Sequence, residues 1–388
     1  MEHEIKYNDI YTGMKSEHDL SEEIFLMKPF LPPIADMLPY LERIWASRQL
    51  TNGGSVHAEF EQAIADYLGV NYISLFANGT LALMIALKTM NLQGEVITTP
   101  FTSPATLQAI YWNNLKPVFV DVNETDLNIN SSLIEAAISP LTAAILPVHI
   151  FGAPCDVDQI KYLSKKYNLK VLYDAAHCFG VQMNGNSLCN YGDLSVLSFH
   201  ATKVFNTFEG GAIVCHDKET KQKIDSLKNT GIDQDHKLCG YGFNAKMNEI
   251  QSAFGLCQLK YVDTVIEMRK AATMHYRKFF SQSKGLRMLI ESENIRHNYS
   301  YLSILIDPEV FGASRDELFN ALQSRNIVSR KYFSPLLSDT PEFEMYKTHD
   351  LPVAEKIARN ILCLPLFHDI SGDQISRIVD TINHLHRE

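Results

Sequence analysis

Four short segments carry residue types whose order could do chemistry. Phe76-Ala77-Asn78-Gly79-Thr80 follows an apolar run and opens a helical pattern. A glycine there lets backbone approach a ligand, and the first amides of a helix, with its dipole behind them, attract an anion. The same turn would equally serve an ordinary strand–turn–helix with Thr80 as N-cap. In Tyr173-Asp174-Ala175-Ala176-His177 the acid ends an apolar strand, where a carboxylate needs a cationic or donor partner. The protonated ring nitrogen of a bound group would satisfy it, and so would a role as helix cap. Ser198-Phe199-His200-Ala201-Thr202-Lys203 leaves another strand, with Phe205, Phe208 and Gly210-Gly211 after it. Apolar surroundings make an ammonium give up its proton, as covalent catalysis by an amine requires, although a surface lysine with a packed stem is the commoner arrangement. Finally, Asn244, in Gly242-Phe243-Asn244-Ala245-Lys246-Met247, could donate to a phosphate or cap the helix that follows.

These segments fall at the joints of a regular pattern. Strands are expected over 72–76, 95–98, 118–121, 143–148, 171–174, 194–199 and 212–215, with helices over 56–68, 80–88, 102–112, 132–137 and 157–167 between them. Such alternation predicts a mostly parallel sheet between helices, whose ligands gather at the carboxyl ends of the strands. A helical pattern from Met37 to Trp45 precedes it. A long one runs from Met247 to Phe280, then strands over 299–306 and 328–332, a helix over 315–325 and a terminal helix from Asp373. An anion turn, an acid at one strand end and a lysine 29 residues later at another form the set that pyridoxal phosphate chemistry needs. No G-x-G-x-x-G follows the first strand, which sets a Rossmann dehydrogenase aside.

Composition narrows the class. The 388 residues are 46% apolar and 21% charged, enough apolar surface to exclude disorder. Net charge is −10 with no basic stripe, so no nucleic-acid partner is expected. No apolar stretch is free of Gly, Pro, Asn or Thr over a membrane span, so no membrane partner is expected either. Seven cysteines without C-x-x-C spacing read as reduced, mostly buried thiols of a cytoplasmic protein. His149 and Cys155, or His177 and Cys178, lack zinc-site spacing, so no metal is expected; His149 reads as a satisfied structural histidine.

At these motifs the sequence resembles the DegT/DnrJ/EryC1/StrS family of sugar aminotransferases, which are fold-type I pyridoxal 5'-phosphate enzymes. The similar segments run in order from Lys28 to the C-terminus: KPFLPP, LTNGGSVHAEFE, FANGT, LPVHIFGAPCD, YDAAHCFGV, SFHATKVFNTFEGGAIV, YGFNAKMNEIQSAFGLCQL and ILCLPLF. The resemblance implies an α/β fold. A large cofactor-binding domain, with a mostly parallel mixed sheet between helices, would span 27–250. A smaller C-terminal α+β domain would span 251–388, and residues 1–26 would form a loosely packed extension. It makes Lys203 the Schiff-base lysine and Asp174 the partner of the pyridinium nitrogen, and puts His177 on the cofactor's hydroxyl side. Asn78, Gly79, Thr80 and Ser198 would bind the phosphate, with Asn244 reaching it from the other subunit of a homodimer with shared sites. The family usually covers the cofactor ring with an aromatic residue shortly after Pro100. Ser103 falls in that place here, and stacking by Phe101 is left open.

Within the family, SFHATK followed by F-N-T-F-E-G-G looks most like enzymes that aminate C4 of a nucleotide-linked 4-keto-6-deoxy sugar, with glutamate as donor, for deoxyaminosugar, O-antigen or glycan synthesis. The runner-up is C3 amination of a 3-keto isomer. A sugar dehydratase of this fold would have histidine in place of Lys203, and a non-catalytic regulator would lack Lys203 or Asp174.

Overall fold

The computed structural model describes residues 22–385. The chain-ordered helices are α1 (Ile34–Ser47), α2 (Ser55–Leu68), α3 (Gly79–Met90), α4 (Pro104–Trp112), α5 (Ser131–Ile134), α6 (Val157–Tyr167), α7 (Lys218–Lys228), α8 (Glu249–Leu259), α9 (Val262–Phe280), α10 (Pro308–Phe311), α11 (Arg315–Ser324), α12 (Pro352–Asn360) and α13 (Gly372–Asn383). The strands are β1 (Tyr72–Phe76), β2 (Glu95–Thr98), β3 (Lys116–Phe119), β4 (Thr142–Ile145), β5 (Lys170–Asp174), β6 (Gln182–Met183), β7 (Asn186–Ser187), β8 (Leu194–Ser198), β9 (Gly211–Cys215), β10 (Leu286–Met288), β11 (Ile295–Arg296), β12 (Leu302–Ile306) and β13 (Ile361–Leu364).

Seven strands form one sheet in the order β1-β9-β8-β5-β4-β2-β3. Only β9 runs against the rest, pairing antiparallel with both β1 and β8. The strands are apolar on both faces, as a sheet buried on both sides requires. On one face Val196 and Ile213 pack with α3, α4 and α7. On the other, Leu75, Leu197 and Ala212 pack with α2 and α8, and Ile145 and Val171 with α6. This is the expected α/β sandwich.

A second sheet, β10-β12-β13, is antiparallel throughout and lies with α9, α11 and α13. The long helical pattern after Met247 is two helices: α8 ends at Leu259 and α9 begins at Val262. Because α8 packs on α1 and α2, the expected boundary at 250/251 falls inside a helix tied to the first sheet. Residues 328–332 make only a single bridge, Arg330 to Cys363, and the strand that completes the second sheet is β13.

The expected extension over 1–26 falls largely outside the described residues. Of its last part, 22–26, Ile24 is anchored while Glu22, Glu23 and Phe25 are exposed. Ile24 is buried and exchanges backbone hydrogen bonds with Asn326 and Val328, and Leu26 accepts one from Leu366.

Candidate active site

The sheet order brings the ends of β1, β8 and β5 to one edge, with the start of β9 between the first two. At the end of β1, Asn78 rather than Thr80 is the N-cap of α3, its side chain accepting from Leu81 N–H at 2.9 Å. The N–H groups of Gly79 and Thr80, first in the helix, have no partner within it. The turn is packed closely enough that Gly211 has no room for a side chain and Gly79 little. A Cβ on Gly79 would stand 3.0 Å from the Ser198 Cβ, and one on Gly211 would stand 2.8 Å from the backbone of Asn78 and Gly79. The predicted anion turn and Ser198 are therefore neighbours, and the antiparallel β9 runs directly beneath them.

Asp174 ends β5 and is buried. No helix follows it, so it is not a helix cap. Its Oδ2 accepts from Thr106 Oγ1 at 2.8 Å and its Oδ1 from Ala176 N–H at 3.1 Å. Thr106, its hydrogen committed to Asp174, accepts in turn from Thr102 at 2.9 Å. Burial raises the Asp174 carboxyl above its ordinary range, opposed by these hydrogen bonds and by the charge of Lys203. A carboxylate offers about four acceptor positions, so Asp174 keeps capacity for a cationic donor.

Three residues on, His177 is buried with Nδ1 accepting from Phe151 N–H at 3.0 Å, which leaves the hydrogen on Nε2. Burial and the neighbouring Lys203 charge hold its imidazole well below the ordinary histidine range.

Lys203 lies in the loop between β8 and β9, in a turn closed by its own N–H donating to His200 O at 2.8 Å. Its Nζ donates to the Tyr301 hydroxyl at 3.2 Å. Burial pulls the ammonium down to about 8, against the charges of Asp174, Tyr332 and Cys178. An amine in that range is deprotonated often enough near neutral pH to act as nucleophile and base.

The remaining predicted residues stand differently. Ser103 is the N-cap of α4, accepting from Ala105 N–H at 3.3 Å. Phe101 is fully buried with its ring edge-on to Phe151 and Phe333, so it cannot cover a cofactor ring without leaving that cluster. Asn244 is exposed, its Oδ1 accepting from Lys246 at 2.7 Å. Its neighbour Ala245 accepts from Ala77 N–H at 2.8 Å, so this segment flanks the anion turn of its own chain despite the distance in sequence. His149 is only half satisfied: Nδ1 accepts from Cys155 N–H at 2.9 Å and the ring stacks on Tyr173, but buried Nε2 has no partner.

Sequence reasoning missed Thr106 and Tyr301. A threonine inside a helix and a tyrosine before a strand carry no local signal, and only the tertiary fold brings them to Asp174 and Lys203. Among the described residues no group of His, Cys, Asp or Glu is placed to hold a metal, and all seven cysteines are free, with only Cys239 exposed. No helix among them is long and apolar enough to cross a membrane.

The model of the DegT/DnrJ/EryC1/StrS aminotransferase family matches residues 34–383. The chain belongs to this family. The dTDP-4-amino-4,6-dideoxy-D-glucose transaminase of Shigella dysenteriae is 47% identical over 370 residues, covering 94% of this chain and 100% of that protein. The Escherichia coli protein of the same name is 43% identical, covering 90% of this chain and 95% of the relative. Among solved structures, DesI, determined in the presence of its TDP-sugar product, superimposes with a TM-score of 0.90 at 32% identity, covering 94% of this chain and 93% of that one.

This aminotransferase family uses pyridoxal phosphate, and the residues present fit that group. The turn sets the free first amides of α3 beside Ser198, Asp174 is a buried acid with spare acceptor capacity, and Lys203 is an amine of lowered pKa.

Proposed function

We propose that this aminotransferase moves an amino group from glutamate to C4 of dTDP-4-keto-6-deoxyglucose, giving a 4-amino-4,6-dideoxy sugar nucleotide for deoxyaminosugar synthesis. The observation that carries amino transfer is the meeting of the anion turn, Asp174 and Lys203 at one sheet edge. The choice of acceptor rests on the end-to-end likeness to the Shigella transaminase.

In this reading Lys203 holds the cofactor covalently, Asp174 takes its ring nitrogen, and His177 donates from Nε2 on its hydroxyl side. Asn78, Gly79, Thr80 and Ser198 surround its phosphate, and Ser103 lies beside its ring. When bound, the cofactor supplies an electron sink for the carbon that loses a proton. Once the incoming amine has displaced it from the cofactor, the free Lys203 Nζ would take the proton from the donor carbon and, in the second half of the reaction, place a proton on the acceptor carbon. Burial strengthens every electrostatic contact made there.

We further infer a homodimer with shared sites, in which Asn244 of the partner subunit completes the phosphate contacts. Exposed Trp45, Leu50, Phe208 and Ile250 border an apolar cavity of about 900 Å³ beside the loop that carries Lys203, a surface suited to a second copy.

The test is incubation with dTDP-4-keto-6-deoxyglucose, glutamate and pyridoxal phosphate, with the amine position read by NMR. Consumption of only a 3-keto isomer would overturn the C4 assignment and leave amino transfer standing.

A further inference from the structure

We infer that Tyr301 is a positioning residue for Lys203: its phenol oxygen fixes the direction of the lysine amine from the second sheet. The inference rests on the reading of Lys203 as the reactive amine. Nζ donates to the Tyr301 hydroxyl at 3.2 Å. The Tyr301 ring in turn meets Phe151, at 5.1 Å between centroids, and stands edge-on to His177 and Tyr332 at 4.9 and 6.0 Å.

The backbone that presents Tyr301 is anchored on both sides. Asn298 Nδ2 donates to the carbonyls of His177 and Phe179 at 2.8 and 2.9 Å, and Ser300 Oγ donates to that of His177 at 2.7 Å. From α9, buried Arg269 donates to the carbonyls of Tyr299 and Ser300 at 2.9 and 2.7 Å. Tyr301 therefore reaches Lys203 from a segment bolted to the same turn that carries His177.

The chemistry asks for such a residue. A neutral amine has one lone pair, and where it points decides which carbon it can deprotonate. Committing one N–H to a fixed acceptor limits the rotation of that lone pair, and pre-set geometry of this kind is a large part of rate enhancement. Burial raises the Tyr301 phenol pKa, so it stays neutral and acts as acceptor rather than base.

The experiment uses Tyr301→Phe, which keeps the ring and removes only the oxygen. In the protein freed of cofactor, the pKa of Lys203 is read from the pH dependence of its acylation by acetic anhydride, quantified by mass spectrometry. The groups facing Nζ are Asp174, Cys178, His177, Tyr332 and Tyr301. Only the last is changed. Losing an acceptor for the ammonium should lower the Lys203 pKa by about one unit. In the cofactor-loaded protein, kcat for the glutamate half-reaction should fall about 10–100-fold with KM nearly unchanged, since the donor's carboxylates do not depend on this oxygen. An unchanged lysine pKa, or an unchanged kcat, would overturn the inference. Neither readout involves the sugar, so a wrong acceptor would leave this result untouched.

Discussion

Asp174 is a buried carboxylate and Asp225 a half-buried one, and their surroundings move them in opposite directions. Asp225, on α7, sits in a closed network. Lys228 Nζ lies 2.8 Å from it, Lys221 another 2.8 Å away on the other oxygen, Ser74 donates to it at 2.6 Å, and Lys221 is held in turn by Glu61 at 2.9 Å. Burial pushes its carboxyl up, but the two lysines overcome that push and carry it down to about 2. Asp174 has two neutral donors and a more distant lysine, and burial wins. Only 4% of Asp174 is exposed, so this imbalance is not relieved by solvent. A network that satisfies itself serves the fold. A buried acid and a buried amine that do not satisfy each other retain affinity for something else, and perturbed groups of this kind gather at functional sites.

The comparison breaks most severely at Lys203. Lys203→Ala should abolish the visible band that arises from the cofactor's bond to the lysine and lower the glutamate half-reaction by more than ~10³-fold, read in single turnovers. Lys203→Arg should not restore it, because a guanidinium stays protonated. Substantial turnover in the alanine variant would remove the lysine from its assigned role. Next comes Asp174→Asn, which keeps shape and removes charge. Saturated with cofactor, it should lose at least ~100-fold in the same half-reaction, the scale of one electrostatic stabiliser. A near-wild-type rate would mean that another group answers the ring nitrogen.

In the closed network the effect should fall on stability instead. Lys228→Met takes from Asp225 its buried cation but leaves it Lys221 and Ser74, and urea unfolding should show a loss of about 1–2 kcal/mol, below the cost of a buried charge left with no partner. Turnover per folded molecule should be nearly unchanged, and Asp225→Asn in the same chain should recover part of the loss. A large fall in turnover would mean that the two clusters are coupled.

The smallest effect concerns the histidines outside the site. Burial holds both His57 and His149 down to about 3. The folded protein therefore keeps them neutral while the unfolded chain takes up protons below pH 6.5, so stability falls as pH drops from 6.5 toward 3. Each should cost ~1.4 kcal/mol per pH unit. Asp225 acts in a lower window: its contribution is present above pH 3.8 and is lost as pH falls through about 2. Unfolding measured at pH 7.5 and 5.5 thus avoids Asp225; buried His177 and His297 add to the same difference, and His149→Phe alone should lessen it by about 1 kcal/mol. An equal difference in the variant would mean that the ring is solvated.

Much of the site was legible in the sequence because the chemistry sits where elements end. Asp174 and Lys203 follow apolar strands, and Gly79 separates a strand from a helix. The large sheet was legible for the same reason, since doubly buried parallel strands are continuous apolar runs. What escaped reading depends on contacts between distant segments. The pattern through Lys260 and Tyr261 is apolar enough to look continuous, yet the chain breaks there and starts a new helix in a different packing environment. Ile361–Leu364 is too short to separate from a buried helix by periodicity, and it displaced residues 328–332 from the expected strand. Thr106 and Tyr301 gain meaning only from what they touch.

Asp121 lies at the end of the strand region after Phe119 and accepts from the N–H groups of Val353 and Ala354, the first turn of α12, at 2.9 and 2.8 Å. A residue beside the first sheet thereby supplies the cap that a helix beside the second sheet does not supply for itself, since Leu351 offers no side-chain cap. Without this contact the first turn of α12 lacks its cap, and Asp121 loses two of the three backbone N–H groups that donate to it. The two should melt as one cooperative unit, giving a single calorimetric transition, and a fragment ending before α12 would leave Asp121 with Val122 N–H alone where the intact chain has a joint.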